Sequence, residues 1–156
     1  MLNTEKQINS YLLKWYSLNK RDLPWRKLYR NNLPNPYYVF VSEYMLQQTT
    51  VNTVKVRFKQ FILKWPNLEI LAKATEPQIL KFWSGLGYYS RARNLLKAAK
   101  IIKKNFNSKI PECYEDLITL PGIGDYTAKA ILGIAYNLPV MPTDANIERI
   151  LVRLFA

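Results

Sequence analysis

The sequence has no histidine and a single cysteine, Cys113, in 156 residues. Disulfides, Cys/His zinc sites, iron–sulfur clusters held by this chain alone and His-dependent nucleophilic triads are therefore excluded. Acid and base chemistry must come from carboxylates, lysine, tyrosine or water. Acidic residues are also scarce: 11 stand against 23 lysines and arginines, giving a formal net charge of +12. That imbalance favours a polyanionic partner, nucleic acid first, with a merely solvated basic surface as the alternative. Long apolar runs are missing too, and no stretch approaches the ~20 residues that a membrane span needs. The polar start, MLNTEKQINS, does not read as a signal peptide, so a cytoplasmic location is expected.

What is present reads as one domain of helices. Apolar residues make up 49% of the chain, enough for a real core. Ile8, Leu12, Trp15 and Tyr16 share a helical face, and residues 51–65 and 92–102 show the same spacing. YYVFV at 37–41 is β-prone, but Asn35-Pro36 supplies an N-cap and a first-turn proline, so a helix is predicted over about 36–50. The chain stops in DANIERILVRLFA, inside an amphipathic helix with no stop signal, which predicts a truncated protein.

Glycine is rare, and four of the five glycines form two G-x-G units: Gly85 and Gly87 in WSGLGYYSRAR, and Gly122 and Gly124 in LPGIGDYTAKAIL. Positive φ or close backbone approach is expected at such positions. The second unit reads as a tight turn before a new helix near Asp125, where successive N–H groups could hold a phosphate. An ordinary helix–helix connection is the alternative.

Two acids stand alone. Glu43 is the only formal charge between Asn31 and Val54, and Asp144 is the only one between Ala130 and Ile147. On a helix Glu43 shares a largely apolar stripe with Val39, Phe40, Leu46 and Gln47, which predicts a desolvated carboxyl that holds its proton near neutral pH and can act as a general acid. A close cation would lower that pKa, so the lysine-free surroundings suit the role. Asp144 falls at the start of the last helix, where a short acid caps the N-terminus. Capping and catalysis are compatible, because a carboxylate fixed by helix N–H groups stays ionised.

LPWR at 23–26, SEYMLQQTT at 42–50, GLGYYSRARNL at 85–95, LPGIGDYTA at 120–128 and DANIERIL at 144–151 occur in the order and at about the spacing of the A/G-specific adenine DNA glycosylases, which the chain resembles from Trp15 onward. Leu120, Pro121, Thr127, Ala128 and Ile131 also stand in the places of that family's helix-hairpin-helix. The resemblance implies an all-α fold of the endonuclease III superfamily. Residues 31–140 would form a six-helix module with the hairpin near 117–133. Residues 1–30 would belong to a second module, and residues 141–156 would begin its truncated iron–sulfur part.

The implied activity is monofunctional hydrolysis of the adenine N-glycosidic bond opposite 8-oxoguanine or guanine, in base-excision repair, by a monomer acting on double-stranded DNA in a bacterial cytosol or nucleoid. Glu43 would protonate the adenine and Asp144 would stabilise the cationic sugar. Arg26, Leu46, Val51 and Tyr126 would line the adenine pocket, although LPWR could also simply anchor its segment. Gln48, Tyr88, Gly122, Gly124 and Asn146 would meet the DNA, with Tyr88 as a core aromatic the alternative. The bifunctional relatives carry a nucleophilic lysine where this chain has Tyr126. Lys129 lies three residues further on, rotated by about 300°, so Schiff-base lyase chemistry is not expected. The family's 4Fe-4S cluster is implied, but its four cysteine ligands and the following 8-oxoguanine-recognition domain are absent here. A non-catalytic DNA-binding remnant is the competing reading. The family glycine after the aspartate is Ala145, which would be strained and could shift the carboxylate if the site needs positive φ.

Overall fold

The computed structural model describes residues 2–155, and those residues form helices without a strand, apart from one isolated bridge between Leu28 and Pro34. Helix α1 (Leu2–Asn19) is followed by a 3-10 turn at Pro24–Arg26. Then come α2 (Pro36–Leu46), α3 (Val51–Lys64), α4 (Leu68–Ala72), α5 (Glu76–Trp83), α6 (Tyr89–Asn105), α7 (Tyr114–Ile118), α8 (Asp125–Tyr136) and α9 (Ala145–Phe155).

The β-prone stretch at 37–41 is helical because its start is pinned. Asn35 Oδ1 accepts from the Tyr37 N–H at 2.9 Å, and Pro36 supplies the fixed φ of the first turn. The aromatic and β-branched side chains then find partners in the core, and tertiary burial overrides local propensity. Residues Tyr37 and Val39 to Met45 are all buried. A helix apolar on every face belongs in the middle of a protein, and α2 packs against α3, α6, α8 and the Pro24–Arg26 turn. The lack of lysine in this stretch therefore has a packing cause before any catalytic one.

The helix is shorter than its sequence pattern predicts. It ends at Leu46, and Gln48 takes φ +57°, so residues 47–50 form a turn rather than a continuation. Gln48 consequently lies off the helix that carries Glu43. The turn between α7 and α8 is fitted to the core. An added Cβ on Gly122, at φ +82°, would come within 2.9 Å of Asn94 Cβ and 3.0 Å of a Tyr44 ring carbon. At this position glycine is required both by the backbone and by the close approach. Gly124 differs from expectation: its φ is −100° and an added Cβ would meet nothing within 4 Å. Its turn places it facing open space, where neither strain nor crowding selects glycine.

The outer helices are less covered. Tyr11, Leu12, Leu13, Trp15, Tyr16 and Leu18 of α1 are exposed, as are Ile150, Val152, Leu154 and Phe155 of α9. Their spacing was read correctly as helical, but the faces it defines are not buried within the described residues.

Candidate active site

Glu43 leaves the buried helix α2 at its C-terminal end and faces a cavity of about 400 Å³. The cavity also receives Leu23, Trp25 and Arg26 from the Pro24–Arg26 region, Leu46, Gln48 and Val51 from the end of α2 through the start of α3, Tyr126 and Thr127 from the start of α8, and Asp144 from the residue before α9. Four chain regions far apart in sequence thus converge on one concave space. Arg26, Leu46, Val51 and Tyr126 line it together with both carboxylates. Tyr88, Gly122, Gly124 and Asn146 lie outside that lining.

Glu43 is 7% exposed, and burial pushes its carboxyl up to about 7, with the Arg26 charge pulling weakly the other way. The expectation of a proton-holding acid is met in direction. No lysine lines the cavity among the described residues, and the cation that acts on Glu43 is Arg26, brought in by the fold rather than by sequence neighbours. Desolvation outweighs that cation, since Arg26 itself remains exposed and its field is screened by solvent.

Asp144 has the opposite environment. Its Oδ1 accepts from the backbone N–H groups of Asn146 at 3.0 Å and Ile147 at 2.9 Å, so it caps α9. The Ile147 backbone bond is the leading cause of a pKa held below the usual aspartate value. Ala145 is the first helical residue and has no positive φ, so the substitution for glycine is unstrained here. Asn146 donates from Nδ2 to Asp144 Oδ2 at 3.4 Å and accepts from Arg149 at 3.2 Å. Tyr126 connects the two acids electrostatically. Its phenol is raised first by burial and then by the charges of Glu43 and Asp144.

The chemistry open to this arrangement follows from unlike carboxylates. One holds a proton near neutral pH and can donate it; the other stays charged and can face a cation. An amine nucleophile is not offered by Lys129, whose Nζ lies 2.9 Å from Asp125 Oδ1 and is not part of the cavity lining.

The LPWR segment is anchored and also reaches the cavity. Trp25 is 1% exposed and meets Phe58 edge-on at 5.3 Å between ring centres, anchoring the segment, while Arg26 reaches the cavity rim. Tyr88 is not a core aromatic. It is 64% exposed, at φ +47°, immediately before α6. Sequence reasoning missed Thr127 and Gln47 as lining residues, although both belong to quoted motifs. Arg91, one of the 23 basic residues, is buried and so does not belong to the basic surface.

The family model for the HhH-GPD superfamily of base excision DNA repair proteins matches residues 41–156. The chain belongs to that superfamily. Among its relatives, the adenine DNA glycosylase of Buchnera aphidicola subsp. Schizaphis graminum is 46% identical over 147 residues, covering 92% of this chain and 40% of that protein. The Mus musculus adenine DNA glycosylase is 44% identical over 94% of this chain and 29% of its own length. The chain thus spans less than half the length of these HhH-GPD relatives. A thermostable thymine-DNA glycosylase aligns with a TM-score of 0.85 at 27% identity, covering 96% of this chain and 68% of that one. Endonuclease III in a non-covalent DNA complex aligns with a TM-score of 0.76 at 23% identity, again over 96% and 68%, and so shares the fold. A 4Fe-4S cluster of the kind the motifs imply requires four thiolates, and one cysteine does not fit it.

Proposed function

We propose that this chain carries the adenine-excising centre of a monofunctional DNA glycosylase acting on adenine opposite 8-oxoguanine or guanine in duplex DNA. The observation that carries the reading is the pairing of a buried, proton-holding Glu43 with a helix-capped, ionised Asp144 in the lining of one cavity, together with Tyr126, which feels both charges.

Adenine is a poor leaving group as an anion. A carboxylic acid that protonates a ring nitrogen lets it depart neutral, and Glu43 is suited to that transfer. As the glycosidic bond lengthens, the sugar becomes oxocarbenium-like, and the fixed negative charge of Asp144 stabilises it without reorganising. Water then adds at C1′, and its proton passes to the solvent or to the Glu43 carboxylate. Access to the base requires flipping it from the duplex. Gln48 and Tyr88 would occupy the stack that it leaves, a role their exposure supports. The basic excess supplies the phosphate contacts.

The proton donor also favours adenine over thymine, the base named for the thermostable relative. Thymine offers no basic ring nitrogen to protonate, since N1 bears the sugar and N3 a hydrogen, so it gains less from a general acid. The test is single-turnover base release from duplexes containing A:8-oxoguanine, A:G and T:G. Adenine release that Glu43→Gln lowers by about 10²-fold or more, with duplex binding retained, is the expected result. Equal rates for the two proteins would leave a DNA-binding remnant as the better reading.

A further inference from the structure

Two residues offered to the DNA stack share an unusual backbone state. Gln48 has φ +57° and Tyr88 has φ +47°, whereas the other non-glycine residues in the left-handed region among those described are asparagines and one serine. Asparagine tolerates this conformation; glutamine and tyrosine adopt it only against steric strain. Both backbones are held by one side chain. Arg91 Nη1 donates to the carbonyl oxygens of Tyr44 at 3.2 Å, Met45 at 2.9 Å and Gln47. Its Nη2 donates to Thr49 Oγ1 at 3.0 Å and to the carbonyls of Leu86 at 2.8 Å and Gly87 at 3.1 Å. The acceptors thus flank Gln48 on both sides and lead directly into Tyr88. The guanidinium carbon also lies 5.6 Å from the Tyr88 ring centre and 5.6 Å from that of Trp83.

No carboxylate is among those acceptors, so the charge is distributed over backbone oxygens. Three of them belong to the end of α2, where unpaired carbonyls and the negative end of the helix dipole favour a cation. A lysine could supply the charge but not a planar fork that reaches two segments at once.

The geometry points to Arg91 as a positioning residue that locks Gln48 and Tyr88 into one rigid probe and ties that probe to the helix carrying Glu43. This inference rests on the proposed glycosylase reading for what the probe does. Its own content is narrower: unstacking of the duplex depends on Arg91 even though Arg91 is buried and touches no DNA. The pattern also gives the sequence GLGYYSRAR a division of labour. The glycines permit the turn, Tyr88 presents a face, and Arg91, three residues later and one helical turn on, reaches back under it.

The test uses the full chain and a duplex with 2-aminopurine in place of the target adenine, opposite 8-oxoguanine, at saturating protein so that affinity differences drop out. The native protein is expected to raise the 2-aminopurine fluorescence on binding. Arg91→Met is expected to lose most of that rise, with adenine release from the parent A:8-oxoguanine duplex slowed at least tenfold and helical circular dichroism unchanged. Arg91→Lys, which keeps the charge but not the fork, is expected to recover less than half of the rise. If Arg91→Met does not fold, Arg91→Lys decides the matter. A folded Arg91→Lys with native fluorescence and native release overturns the inference. If the native protein unstacks the base but releases no adenine, while the Arg91 variants still lose the unstacking, the glycosylase reading falls and the positioning role stands. If adenine is released and the folded variants unstack normally, the reverse holds.

Discussion

The assignment of roles to Glu43 and Asp144 depends on environments that push two carboxyls apart. For Glu43 the folded pKa lies above its unfolded value, so the folded chain holds an extra proton between those values. The stability it contributes is present below the unfolded pKa and is lost as pH rises toward about 7. Ionising the buried acid then costs on the order of 3 kcal/mol. Glu43→Gln is therefore expected to raise the denaturant midpoint at pH 8 while slowing adenine release by about 10²-fold or more, a gain in stability with a loss of function. At pH 4 the stability difference between the two proteins is expected to shrink to near zero, which urea titrations at the two pH values would check. Asp144 gives the opposite sign. Its pKa is depressed by the N–H groups of Ile147 and Asn146, so its ionised form is retained until the pH falls below the usual aspartate range. Asp144→Asn preserves a cap acceptor but removes the charge. It is expected to leave α9 helicity intact while slowing base release by at least tenfold, whereas Asp144→Ala loses both; circular dichroism alongside single-turnover rates separates the cases.

At the scale of elements, much of the fold was legible because the signals were local. Asn35-Pro36 announced the start of α2, the three-to-four spacing found α3 and α6, and Asp144 announced the start of α9. The end of α2 was not legible. Thr49 and Thr50 continue an uncharged stretch with no glycine or proline, and the turn exists because Arg91, from a helix more than forty residues away, supplies donors for its carbonyls and for Thr49 Oγ1. The same distance effect means that the charge of Arg26 on Glu43 does not follow from the residues around Glu43 in the sequence. Motif positions located seven of the lining residues, but that they enclose one space follows from packing among α2, α3, α8 and the Pro24–Arg26 turn. Gly124 shows the limit in the other direction, since a rare residue was read as a backbone requirement that the fold does not impose. The hairpin is held to α2 by Tyr44, whose hydroxyl donates to the Pro121 carbonyl at 2.6 Å, and by Gln47 Nε2, which donates to the Gly122 carbonyl at 3.1 Å. Tyr44→Phe is accordingly expected to weaken duplex affinity by a few-fold through the hairpin while leaving the rate at saturation nearly unchanged, readable as a split between binding and single-turnover constants.

Across the whole molecule, stability is expected to be uneven. Helix α2 is buried on all sides, whereas α1 presents six large apolar side chains to solvent. Local opening free energy follows burial, so amide exchange is expected to be slowest in α2 and fastest in α1, with exchange rates differing by orders of magnitude. The charge of +12 is spread over the same surface. If it neutralises phosphates, log affinity falls against log salt with a slope of about −0.9 per contact, and a flat line would indicate solvated charge alone. The most direct test of the central claim is the pH profile of single-turnover adenine release from an A:8-oxoguanine duplex, measured for the native chain and for Glu43→Gln. The account predicts a native rate that is nearly constant from the usual aspartate range up to pH 7 and falls about tenfold per pH unit above it, and a variant rate lower by about 10²-fold or more with that limb gone. A variant that releases adenine at the native rate, or that keeps the same falling limb, would contradict it.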